Sequence, residues 1–182
     1  GYDLVLLRDY ALTGEPGKPL LPVATCYVVI PPTAEPKSVT IVSTEVAEIP
    51  GEYLIHPAQE PRPTSSEVSQ FIQPDEDLYS SSSPYPGEVV QISPAGSMGG
   101  YRISPILVYP LRYTPSERKL ELYTTVELKL TYEEGAVSVA QRTARQAAIV
   151  AEKVRRMVAN PEDVGRWAPP LADPKQGTTE YA

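Results

Sequence analysis

Apolar positions along the chain follow two periods. From Lys119 to Tyr132 they alternate: Leu120, Leu122, Thr124, Val126, Leu128, Leu130 and Tyr132 share one parity, and Glu121, Tyr123, Thr125, Glu127, Lys129 and Thr131 the other. A period of two describes a strand with one face toward a core. Leu120, Leu122, Val126, Leu128 and Leu130 are therefore expected to point inward. Shorter strands are expected at Tyr2–Leu7, Ala24–Ile30, Lys37–Ile49, Glu52–His56, Glu88–Ser93 and Tyr101–Pro110. The run ATCYVVI at 24–30 is continuous rather than alternating, as in a strand buried on both faces. Pro105 places a bulge or an edge in the strand that holds it. Tyr113–Arg118 (YTPSER) has the chemistry of a hairpin turn.

Beyond Gly135 the period becomes helical. Ala140, Ala144, Ala147, Ala148, Ala151, Val154 and Val158 form one stripe, and the pattern predicts a helix of about 20 residues. Asn160-Pro161 then reads as a cap and first position of a short helical turn. Many short strands without regular intervening helices predict a mainly β chain. The expected fold is an antiparallel β-sandwich of jelly-roll or immunoglobulin-like type with a C-terminal α-helix. Residues 1–134 are expected to form the sandwich, and 135–182 a helical tail and linker.

Proline changes this picture in one place. The chain has 21 prolines in 182 residues, and they crowd the stretch 57–86, which also carries four serines at Ser80–Ser83. So long a connection is expected to be functional, or to be a belt tied down by Phe71, Ile72, Leu78, Tyr79 and Tyr85. The connection Pro94–Gly100 (PAGSMGG) reads as a flexible connection whose glycines let the backbone approach another surface, or alternatively as a long hairpin loop, with Met98 its one large side chain.

Charge and rare residues narrow the function. The net charge is −7, and no basic face is apparent, which argues against nucleic acid. No apolar run approaches the roughly 20 residues that span a bilayer. One cysteine and one histidine leave little for triad or zinc chemistry, so an enzyme is not expected and neither is a cofactor or metal. Cys26 and His56 could form a dyad, but Cys26 sits in an apolar strand where a thiol behaves as a small hydrophobe. Asp75, Glu76 and Asp77 offer clustered oxygens of the kind calcium prefers, without the spacing of a calcium loop. Tyr79, Tyr85, Tyr101, Tyr109, Tyr113 and Tyr123 are either a recognition face or strand residues with high β propensity.

Three strings occur in order: GKPLLP at Gly17–Pro22, YPGE at Tyr85–Glu88, and YRISPILVYPLRYTPSERKLELYTTVELKL at Tyr101–Leu130. Together they resemble the N-terminal propeptide of gingipain-type cysteine peptidases, over roughly residues 2–132. The resemblance implies a β-sandwich prodomain that precedes a caspase-like catalytic domain. It implies that the prodomain assists folding of that domain, keeps it latent and is cut away. The implied partner is the cognate cysteine-peptidase catalytic domain. The implied location is secreted, cell-surface or periplasmic, after signal-peptide removal. The family's inhibitory element is a loop that enters the active-site cleft, and the corresponding place here is Ser97, Met98, Gly99, Gly100, Tyr101 and Arg102. The best-known members place arginine there. This sequence has Met98 in the loop and its arginine only at Arg102, so either side chain could be the one that enters. A stand-alone sandwich that binds glycan or a cell surface is the alternative reading.

Overall fold

The computed structural model describes residues 1–61, 70–135 and 141–172. It is mainly β, with antiparallel sheets and one longer helix near the C-terminus. The strands are β1 (Ala11–Leu12), β2 (Pro22–Ile30), β3 (Ala34–Ile49), β4 (Val90–Ile92), β5 (Gly96–Met98), β6 (Tyr101–Val108), β7 (Leu111–Thr114) and β8 (Lys119–Glu134). One sheet has the order β1-β2-β6-β4, with β5 also on β6; the other has the order β3-β8-β7. The helices are α1 (Glu76–Tyr79) and α2 (Ala144–Met157).

The chain divides into two compact units. The first comprises Gly1–Ala24, Ile41–Gln91 and Leu107–Leu128. Its core is Leu21, Ile55, Tyr113 and Leu120, with Val5, Ile49, Tyr53 and Tyr85 packed around them. Tyrosine does much of the bracing. Tyr113 is fully buried and donates its hydroxyl to the Tyr53 carbonyl at 2.9 Å. Tyr79 donates to the Ile55 carbonyl at 2.8 Å and meets the Tyr113 ring edge-on. Each ring thus buries apolar area while its hydroxyl stays bonded, which is the condition for burying tyrosine cheaply. The YTPSER turn is a single 3₁₀ turn at Pro115–Glu117, and Arg118 closes it at φ 55°.

The long connection is tied down as expected in several places. Gln59 bonds the Ile72 backbone in both directions, at 2.9 and 3.0 Å. Residues 62–69 lie outside the described residues. Asp75 caps α1 by accepting from the Leu78 amide, and Glu76 and Asp77 fill its first turn. The acidic trio therefore has a local helical reason, since carboxylates favour a helix start.

The second unit comprises Thr25–Thr40, Ile92–Ile106 and Lys129–Ala182. Its core is Val29, Tyr101, Ile103, Val154, Val158 and Val164, with Val150, Ala151, Met157 and Trp167 against it. Helix α2 begins at a full capping box: Thr143 and Gln146 bond each other's backbone amides. It is shorter than the stripe suggested, and only part of the stripe faces inward: Ala151 and Val154 pack in the core, with Val150 beside them. Ala144 and Ala148 are exposed, while Val154 is fully buried; Ala140 lies outside the described residues.

Past α2 the chain runs along the edge of β2. Tyr27 bridges Val158, and the Ala159 amide donates to the Tyr27 carbonyl at 2.8 Å. As expected, Asn160 stands at the cap of a 3₁₀ turn, Pro161–Val164, with Pro161 in its first position, but its side chain makes no capping bond. Instead its amide group accepts from the Val29 N–H and donates to the Val29 carbonyl, both at 2.9 Å. A side chain here does what a neighbouring strand would do.

Other expectations change. Tyr2–Leu7 is not a strand: it pairs at Asp3, and Leu4 and Leu6 are exposed. Glu52–His56 is likewise held at Ile55 and His56 by isolated pairs. The ATCYVVI run is buried only at its end, Val29 and Ile30, because Thr25 and Tyr27 face outward. Along β8 the parity is as expected but the depth is not. Leu120 is buried, Leu122, Val126, Leu128 and Leu130 are half-buried, and Tyr132 is exposed.

Two predictions follow from this packing. Asn160→Ala strands the Val29 N–H and C=O, which should cost about 1–3 kcal/mol; chemical denaturation measures it, and a loss below about 0.5 kcal/mol would place water in the amide's role. Alkali should also destabilise the first unit. Burial, reinforced by the Glu15 carboxylate, pushes the Tyr85 phenol up to about 12, against about 10 in an unfolded chain. The folded state holds that proton more tightly, so its contribution is complete below pH ~10 and is lost as pH rises toward 12. The urea midpoint should fall over that window, and less steeply in Tyr85→Phe.

Candidate functional site

The residues expected at the site, 97–102, form the tip of a hairpin, one of the two readings, but a tight two-residue one rather than a long loop. Gly96, Ser97 and Met98 of β5 pair with Ile103, Arg102 and Tyr101 of β6. The two residues between the strands are Gly99 and Gly100, at φ 58° and 92°. Two positive φ values in a two-residue loop are the mirror-image turn that matches strand twist, and glycine adopts it without strain. The sequence PAGSMGG is therefore a hairpin signal.

Alternation sends the six side chains different ways. Tyr101 is 2% exposed and sits in the core with Val154 and Val158. Burial raises its phenol pKa. Arg102 is not free either. Its side chain is only 12% exposed, is paired with Glu35, and donates to the Ala34 carbonyl at 3.3 Å. Gly100 is buried, and Gly99 lies against α2. A Cβ at Gly99 would fall 2.4 Å from a Val150 methyl, so the tip is fitted to the helix. Ser97 and Met98 remain exposed.

Strand β5 is exposed throughout and pairs only with β6 among the described residues. Its outer edge thus presents backbone groups for another strand. Beside it lies a shallow, mostly apolar groove of about 190 Å³, lined by Tyr27, Ser97, Met98, Ile103, Pro105 and Met157. An extended edge next to an apolar groove is how one chain adds a strand to another. Nothing in this arrangement activates a nucleophile. Cys26 is half-buried and burial raises its pKa, the opposite of a reactive thiol. His56 packs its ring edge-on against Tyr2 and Phe71 at 5.6 Å. Among the described residues no three metal-binding side chains cluster.

The Propeptide_C25 family matches residues 8–168. The chain belongs to this family. It is a gingipain-type propeptide, the non-catalytic part of a peptidase zymogen. Its fold resembles the complex of Porphyromonas gingivalis RgpB pro- and mature domains, with a TM-score of 0.67, 21% identity, and coverage of 85% of this chain and 78% of that one. It also resembles a structure described as giving insight into the zymogenic latency of gingipain K from Porphyromonas gingivalis. There the TM-score is 0.58 at 22% identity, over 70% of this chain and 71% of that one. No curated protein matches the chain.

The signal for the hairpin was the Gly99-Gly100 pair between Met98 and Tyr101. The pairing of Arg102 with Glu35 had no sequence signal, because 67 residues separate the two. Gly99→Val should destabilise the propeptide by about 2–4 kcal/mol, combining positive-φ strain with overpacking against Val150. Ser97→Ala should change stability by less than about 0.5 kcal/mol. Thermal denaturation of the two variants separates a fitted tip from a free one.

Proposed function

We propose that this propeptide maintains latency of a gingipain-like cysteine-peptidase catalytic domain and assists its folding, until proteolysis removes it. The observation that carries the proposal is β5: an exposed strand edge, built on a rigid two-glycine hairpin, beside an apolar groove. A peptidase cleft binds substrate as an extended chain, and an edge strand presents that geometry ready-made. Rigidity also favours inhibition, since a preorganised segment loses less entropy on binding.

Within the stretch 97–102 the roles divide. Ser97 and Met98 make the contact with the cleft. Gly99 and Gly100 set the turn. Tyr101 and Arg102 hold the hairpin to the fold, so their loss acts through stability first. Residues 135–182 carry α2 and lead on toward the catalytic domain. A precursor of this kind works outside the cytoplasm, at the cell surface, in the periplasm or secreted.

The test adds the purified propeptide in trans to its mature peptidase. Met98→Ala, and replacement of Ser97–Gly100 by a shorter turn, should each weaken inhibition by about 30-fold or more, the scale of a binding hot spot. Arg102→Ala should lower the melting temperature and weaken inhibition only as far as the hairpin loosens. Full inhibition by both loop variants, with folding intact, would remove the contact from this hairpin.

A further inference from the structure

The first unit has a groove of about 370 Å³ that shares no residue with the inhibitory contact proposed above. Its floor crosses one sheet: Leu12 of β1, Val23 of β2, Leu107 of β6 and Gln91 of β4 all line it. Its walls are the Thr13–Glu15 turn, the segment Tyr85–Glu88, and Tyr109. The volume falls within the roughly 300–1,000 Å³ of ordinary ligand sites.

The walls are fixed by backbone pairs. Tyr85 exchanges both hydrogen bonds with Tyr113, at 2.8 and 2.7 Å. The Tyr109 amide donates to the Val89 carbonyl at 2.8 Å, and the Thr13 amide to the Leu21 carbonyl at 2.8 Å. The Tyr109 hydroxyl donates to Gln91 Oε1 at 3.1 Å. Of the six tyrosines noted in the sequence, Tyr101 and Tyr113 are core residues and Tyr79 is bonded to the backbone. Tyr85 and Tyr109 alone among them line this groove.

The groove is negative. Glu15 and Glu88 line it and no cationic residue does. Lys18 pairs with Glu15 at the rim, as an exposed pair three residues apart. Such a pair is worth at most about 1 kcal/mol and exchanges readily. The Glu15 carboxylate is near enough to both phenols to push them further up.

We propose that this groove binds an arginine side chain carried by a polypeptide partner. The apolar floor of Leu12, Val23 and Leu107 suits the aliphatic stem. The Tyr85 and Tyr109 rings and the two carboxylates suit the planar cationic head, through stacking and charge-assisted hydrogen bonds. The groove is open to solvent, which leaves room for main chain on either side of the bound residue. The site is separate in residues from the β5 edge, so it is an additional contact.

The test uses the propeptide alone and follows its backbone amides by NMR. Nα-acetylarginine N-methylamide should shift Glu15, Gly87 and Gln91, with a Kd of about 1–10 mM, as one side chain can supply. Glu15→Gln and Glu88→Gln, both at exposed positions that leave the fold intact, should each weaken binding about threefold or more, and Lys18→Met should strengthen it by freeing Glu15. The neutral isostere Nα-acetylcitrulline N-methylamide should not bind. Equal binding of the citrulline ligand, or no effect of either glutamate variant, would overturn the proposal. So would shifts produced by N-acetylglucosamine in place of arginine, which would make the groove a sugar site. Tighter binding of agmatine than of the blocked arginine would overturn the polypeptide source.

Discussion

The second unit depends on one side chain acting as a strand. Asn160 bonds both backbone groups of Val29, and the neighbouring Ala159 amide bonds Tyr27. Those bonds hold the end of α2 along the β2 edge. Once it is there, Val154, Val158 and Val164 close over Val29, Tyr101 and Ile103. The helix so placed presents Val150, against which the hairpin turn is fitted at Gly99. A carboxamide suits the task because its oxygen accepts while its NH2 donates, as in a peptide group, and the second N–H is left for Asp163 at 3.1 Å. Aspartate would offer no donor, and leucine would leave both Val29 groups without partners.

The same ordering explains why β5 can be exposed without being loose. Short edge strands of small residues usually fray, since few apolar contacts hold them. Here the restraint comes from β6. Tyr101 and Ile103 are anchored in the core, Arg102 is anchored on Glu35 and Ala34, and β5 is register-locked to all three. The exposed strand contributes little to stability, so its side chains are free to be chosen for a partner. That separation of holding residues from presenting residues suits a contact that has to be both firm and specific.

Much of the fold was legible in the sequence, because alternation in β8, the YTPSER turn and the helical stripe are local signals. The family resemblance was legible for the same reason, since it rests on contiguous strings. What was not legible is depth. Parity places Leu128 and Leu130 on the inward face of β8, yet how far a face is covered depends on which elements lie over it. The long-range pairings were also hidden. Nothing near Arg102 announces Glu35, and nothing near Asn160 announces Val29. The Asn-Pro pair reads as a helix cap, and Asn160 does stand there with Pro161 in the first position; what stayed hidden is that its side chain bonds a strand edge instead of the turn.

The tyrosines show how composition misleads without geometry. As a group they read either as a recognition face or as strand formers, and both readings hold for different members. Tyr113 and Tyr101 are core struts whose rings are almost wholly covered. Tyr85 and Tyr109 are half-buried and line a groove that also holds Glu15 and Glu88. Their elevated phenol pKa values share a cause with the core tyrosines, burial, but add a second, the charge of Glu15. The Glu15 carboxylate is kept close to two phenols with Lys18 as its surface partner, and such an arrangement favours a positive group that can exchange with that lysine. The chain's acidity, which in the sequence only argued against nucleic acid, thus has at least one local focus with a shape of its own.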